Sequence, residues 1–197
     1  MRWIWIDKFV EFESGRRAVA VKNVTLAEEH LHDHFPGFPV MPECLMIEAM
    51  AQTSGILVGQ ARDFQEKVVL AKISKAVFFD YVTPGDSLRL EAQIGTISPE
   101  AAGTSGRILR GDQLIAEIDL IFSHIDRNLA GKKFPEENFV FTDTFMSLMR
   151  DVALGAGTRP QGRGAGEEPS TRDPQASTLF PPPAPQATPP RGRESQA

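Results

Sequence analysis

Two side chains in this sequence are spaced and surrounded as an acid–base pair would be. His34 opens the run His-Phe-Pro-Gly-Phe-Pro-Val-Met-Pro, and Glu48 follows fourteen positions on, inside the apolar run from Cys44 to Ala61. Glu48 is the one charge in that run, and no basic residue lies between Met46 and Gln60, so it has no local ion-pair partner. An unpaired carboxylate in apolar surroundings is destabilising unless it has a task. A neutral imidazole accepts a proton at pH 7, and a carboxyl group in a dry site can exchange one with a substrate. Gln52 lies one helical turn after Glu48, on the same face. It either orients the carboxylate or caps a polar pocket.

The elements that must hold this pair can be read from the chain. Pro36, Pro39 and Pro42 fix three backbone angles and remove three N–H donors, so His34 sits on a stiff loop rather than on a helix or central strand. Helix begins at Pro42, where a missing N–H costs nothing, and its apolar body makes it a buried core helix. Phe9–Glu13 and Ala18–Val24 read as strands around a Ser14-Gly15 turn, and residues 26–33 as a short helix or loop. Lys67–Asp80 reads as a long strand, with Phe78, Phe79 and Tyr81 as core or interface rings. Thr83-Pro84-Gly85-Asp86 has the residues of a type II turn, and Ser87–Ile97 alternates as a further strand. Gly111-Asp112 turns between Thr104–Arg110 and Leu114–Ile125. One helix among about six hairpin-connected strands gives an α+β domain, an antiparallel sheet wrapped on a central helix.

Composition narrows the classes. A net charge of −5 with 21 basic and 26 acidic residues carries no basic stripe for nucleic acid. The single cysteine cannot form an internal disulfide and points to a reducing, cytoplasmic compartment. The start, Met-Arg-Trp-Ile-Trp-Ile-Asp-Lys, meets charge too early for a signal peptide, and Glu48 and its polar neighbours make membrane insertion of the helix costly. His30, His32, Asp33 and His34 cluster, yet no second cysteine or HExxH pair accompanies them. They read as metal-free, with His30 and His32 as solvated loop residues and His124 as a strand residue. Cys44 reads as a small packing residue. Asp143 to Leu154 spaces Phe145, Leu148, Met149 and Val152 as a short amphipathic helix, with Thr142 or Asp143 as cap. From Gly155 the chain holds nine of its fifteen prolines and reads as a disordered tail. The expected organisation is therefore a domain over 1–130, an extension over 131–154 and a tail over 155–197.

His34 to Pro42 and Glu48-Ala-Met-Ala-Gln52 closely resemble the signature of FabZ-type 3-hydroxyacyl-acyl-carrier-protein dehydratases. Gly15–Thr25 and Phe78–Asp86 extend the resemblance, which covers roughly Trp5 to Asp126. It implies a hotdog fold and a hydro-lyase that converts a (3R)-3-hydroxyacyl thioester to the trans-2-enoyl thioester in fatty acid biosynthesis. It also implies His34 and Glu48 as catalytic pair, contributed by different subunits of a homodimer, and acyl carrier protein as partner. No cofactor is expected, because the thioester itself acidifies C2. Gly37, Glu43, Cys44 and Gln52 are the expected substrate-binding positions, with the N–H groups of Glu43 and Cys44 polarising the thioester carbonyl. Two positions depart from the family pattern: Asp33 and Glu43 stand where glycines are usual. The departures keep open a non-catalytic acyl-thioester-binding module, while a hotdog thioesterase would use the helix carboxylate to activate water. For the acidic carrier, Lys72 and Lys75 or Arg16 and Arg17 are the candidate basic rim.

Overall fold

The computed structural model describes residues 4–125, 138–142 and 145. Its elements run β1 (Lys8–Glu13), β2 (Arg17–Asn23), α1 (His30–Asp33), α2 (Glu43–Gln60), β3 (Val68–Phe78), β4 (Ser87–Ile97), β5 (Ala101–Arg110) and β6 (Gln113–His124). The six strands form one antiparallel sheet in the order β1-β2-β4-β5-β6-β3, and α2 lies against it. This is the sheet-on-helix arrangement expected of the chain.

Alternation explains the strands. Leu88, Leu90 and Ala92 of β4, Ala102 and Ile108 of β5, and Ile118, Leu120 and Phe122 of β6 are buried at every second position and meet α2. From α2 come Met46, Ala49, Met50, Ile56, Leu57 and Val58. Gly106 leaves room for a helix side chain: a Cβ there would collide with the Met50 sulfur. Among the described residues, no helix is long and apolar enough to cross a membrane.

Several boundaries differ from the sequence expectation. Pro42 is the N-cap and not the first helical residue, with φ −58° and ψ 140°. Its carbonyl accepts the first bonds of the helix, from Leu45 N–H at 2.9 Å and Met46 N–H at 3.4 Å, which is the cap's role. Strand β5 starts at Ala101 rather than Thr104, because Gly103 pairs with Thr96 and Ile121 instead of ending the strand. His30 is half-buried in α1, its ring edge-on to Trp5 at 5.3 Å, instead of solvated. Cys44 is exposed instead of packed, as is its neighbour Glu43 in the first turn of α2. The region of the expected Asp143–Leu154 helix, Phe145 apart, and the tail from Gly155 lie outside the described residues.

One edge of the sheet matters for the site. β3 is eleven residues long and, among the described residues, pairs only with β6. Leu70, Ile73 and Val77 are exposed along it.

Candidate active site

His34 is held from both sides. Its N–H donates to the His30 carbonyl at 3.1 Å, closing α1. A tight turn follows, in which Phe38 N–H donates to Phe35 O at 2.9 Å. Pro36 occupies the second position of that turn and Gly37 the third with φ 78°, an angle that favours glycine and fits type II geometry. Met41 N–H then ties the loop to Val82 O at 2.8 Å, and Phe38 stacks edge-on with Tyr81 at 5.6 Å. The imidazole itself is exposed and edge-on to Phe35, with ring centroids 4.4 Å apart.

Glu48 is half-buried on α2, and Gln52 is its partner. The Gln52 amide donates to Glu48 Oε1 at 2.8 Å, while Gln52 Oε1 accepts the backbone N–H of Trp5 at 2.8 Å. Gln52 is itself buried. The Gln52 amide thus lies against the carboxylate, which is the geometry that an orienting role requires. Trp5 is the participant that sequence reasoning missed, since a main-chain donor 47 positions away leaves no spacing signal.

A cavity of about 240 Å³ lies beside Glu48, lined otherwise by Gln52 and apolar residues of α2, β3, β6 and the segment 138–142. His34 is not among its lining residues, and no hydrogen bond joins His34 to Glu48 among the described residues. Within one chain, His34 therefore makes no direct contact with Glu48 through this cavity.

Glu43 and Cys44 form the first turn of α2, with exposed side chains. Pro42 has no side-chain cap to offer. Among the described residues, the N–H groups of Glu43 and Cys44 have no acceptor, so both are available to a carbonyl oxygen. The helix macrodipole adds partial positive charge there.

The neighbouring histidines have local explanations. His32 Nε2 contacts Leu26 O at 2.6 Å. Burial pushes the His30 imidazole below its ordinary pKa, against the opposing pull of Glu28. Among the described residues no cluster of histidine, cysteine and carboxylate side chains suits a metal ion. His124 is buried at the end of β6, with Nδ1 2.8 Å from Glu66. Of the candidate basic rim, Arg16 pairs with Glu13, Arg17 with Glu11 and Lys75 with Glu117, whereas Lys72 makes no ion pair among the described residues. Phe78 is half-buried, and Phe79 and Tyr81 are exposed.

Comparison with known proteins places the chain in a family. The FabA-like domain family matches residues 3–119. The 3-hydroxyacyl-acyl-carrier-protein dehydratase FabZ of Desulforamulus reducens is 38% identical over 122 residues, which span 61% of this chain and 86% of the relative. The FabZ of Koribacter versatilis is 42% identical over 114 residues, 57% of this chain and 73% of the relative. Among solved structures, the dehydratase heterocomplex ApeI:P from Xenorhabdus doucetiae superposes with a TM-score of 0.52 at 15% identity, over 61% of this chain and 82% of that one. That likeness is one of fold. With the family match covering more than half of the sequence and carrying both His34 and Glu48, the chain belongs to the FabA-like family and, within it, to the FabZ-type dehydratases.

Proposed function

We infer that the protein dehydrates 3-hydroxyacyl-acyl carrier protein to the trans-2-enoyl thioester in fatty acid biosynthesis. The observation that carries this reading is the oriented carboxylate of Glu48 in an apolar cavity, in a chain of this family that also presents His34 on a stiff loop. In the proposed reaction His34 takes the C2 proton as base. The electrons of that C–H bond form the C2–C3 double bond as the C3–O bond breaks. Glu48 gives its proton to the departing hydroxide, which leaves as water. The N–H groups of Glu43 and Cys44 receive the thioester carbonyl and stabilise enolate charge, with the Gly37 turn alongside.

The homodimer is part of the same reading. A long unpaired edge such as β3, with exposed Leu70, Ile73 and Val77, is normally covered in a stable protein. Pairing with a second copy would also give Glu48 a histidine, since its own His34 does not line its cavity. Of the four candidate rim residues, Lys72 is the one without an ion pair among the described residues, which leaves it available to an acidic carrier protein if it faces away from the seam between copies. The lone thiol of Cys44 suits a cytoplasmic location.

The test is spectroscopic: purified protein is given 3-hydroxyacyl thioesters on carrier protein and on coenzyme A, and enoyl absorbance is followed. Formation of the conjugated enoyl thioester supports the reading. Release of free thiol with no enoyl product would identify a thioesterase instead.

A further inference from the structure

The cavity beside Glu48 has a wall that the family domain does not supply. The 3–119 match ends before β6 does, yet Val140 and Phe141 line the same cavity as Glu48 and Gln52. They are carried there by a short segment fixed through one side chain. Asn138 Nδ2 donates to Phe64 O at 3.0 Å and to Glu66 O at 3.4 Å, just past the end of α2. Asn138 Oδ1 accepts the N–H groups of Val140 and Phe141, each at 3.0 Å. This double use of one amide folds the segment into a turn aimed back at the helix.

The helix is shaped to receive it. Glu48, Gln52, Gly55 and Gly59 share one face of α2 at intervals of four, three and four residues. A Cβ at Gly59 would come within 2.6 Å of the Phe141 ring, so the ring lies directly on the helix backbone. Phe141 is buried, edge-on to Phe64 at 5.0 Å and 6.0 Å from Phe145. It cannot swing away without breaking that aromatic stack. Along the helix the lining therefore runs from the polar pair Glu48 and Gln52, past Gly55 and Ile56, to the apolar side chains of Val140 and Phe141.

Resting on the dehydratase reading, we propose that Val140 and Phe141 are specificity-determining residues: they form the far wall of the acyl pocket and limit how long an acyl chain it accepts. With C2 and C3 of the substrate beside Glu48, the rest of an aliphatic chain extends along the glycine face toward Phe141. Apolar walls favour each buried methylene until the ring stops the chain, and overpacking beyond it is unfavourable.

The experiment measures kcat/KM for straight-chain 3-hydroxyacyl carriers from four to sixteen carbons. Phe141→Ala should raise the ratio of the 12-carbon to the 4-carbon value at least tenfold over the parent. Val140→Phe, at a half-buried position, should lower it by a similar factor. Thermal melts report folding, and if Phe141→Ala does not fold, Val140→Phe decides alone. A parent that is active while the folded variants keep its length profile overturns the wall assignment. A parent inactive on every chain length overturns the dehydratase reading itself.

Discussion

Gln52 bridges Glu48 to the main chain of Trp5, donating to the carboxylate and accepting an N–H, each at 2.8 Å. The amide suits this place because it has a donor and an acceptor on one planar group. Its oxygen must face the Trp5 N–H, which can only donate, and this turns its nitrogen to Glu48. Gln52→Leu keeps the volume and removes both bonds. Turnover should fall about tenfold, roughly 1.4 kcal/mol in the barrier, with KM changed little, because the carboxylate loses its aim and not its substrate. Stability should fall by about 1–3 kcal/mol, since the Trp5 N–H loses its partner. A variant with parental kcat would remove Gln52 from the positioning role.

Separation of His34 from the Glu48 cavity makes the pair testable by complementation. His34→Ala and Glu48→Ala should each lose about two to four orders of magnitude in turnover while remaining folded. Unfolded together and refolded as an equimolar mixture, they should regain about a quarter of parental activity. Half of randomly assorted dimers are mixed, and each mixed dimer holds one intact site of two. Absence of recovery, with mixed dimers demonstrated by mass, would place both groups of a working site on one chain.

Arg110 gives a pH-dependent prediction for stability. It donates to Asp80 at 2.5 Å, to Asp86 at 3.0 Å and to Tyr81 O at 3.0 Å, clamping the segment that carries Val82 and so the anchor of the His34 loop. The Asp80 carboxyl is held below its ordinary value by the Tyr81 N–H, Gln113 and Arg110. Asp86 is also held low: burial opposes this, but the Thr83 N–H and Arg110 outweigh it. Carboxylates depressed in the folded state stabilise it above their unfolded value of about 3.9, and that contribution is lost as pH falls through the lower folded values. Arg110→Met should therefore lower the melting temperature by a few degrees at pH 7. The gap to the parent should narrow below about pH 4. A gap that stays constant with pH would mean that the clamp acts through packing alone.

The strands and the loop were legible because their physics is local. Leu88, Leu90 and Ala92 alternate on one strand and fall on one face, and Pro36-Gly37 can make few shapes other than the turn seen. The order of the sheet's edges was not legible, because nothing in β3 marks it as the last strand rather than an inner one. Cys44 was misread because residue type does not reveal which way a helix's first turn faces. The Trp5–Gln52 and Asn138–Phe64 bonds join positions 47 and 74 apart, through side chains that carry no periodic signal. His34 and Glu48 could be picked out together, but that His34 does not line the Glu48 cavity is a fact of three dimensions.

Glu43 is where this chain departs from its family at the helix start, and its placement makes the consequence calculable. Pro42, with ψ 140°, is the N-cap, so Glu43 is the first helical residue and its exposed side chain leaves the helix axis at the solvent side. Its N–H points along the axis whatever the side chain. A carboxylate in the first turn interacts favourably with the helix dipole, by roughly 0.3–1 kcal/mol. Glu43→Gly should therefore lower stability by about 1–2 kcal/mol, combining that loss with poorer helix propensity. Turnover should change less than about tenfold, because the N–H proposed to meet the thioester carbonyl is unchanged. The control is Glu43→Gln, which keeps the helix former and removes the charge, and its kcat should match the parent within about threefold. A rise of a hundredfold or more in both variants would show that the carboxylate opposes the developing enolate. The natural protein would then be a slow enzyme, or a binder of acyl thioesters, held back by one side chain.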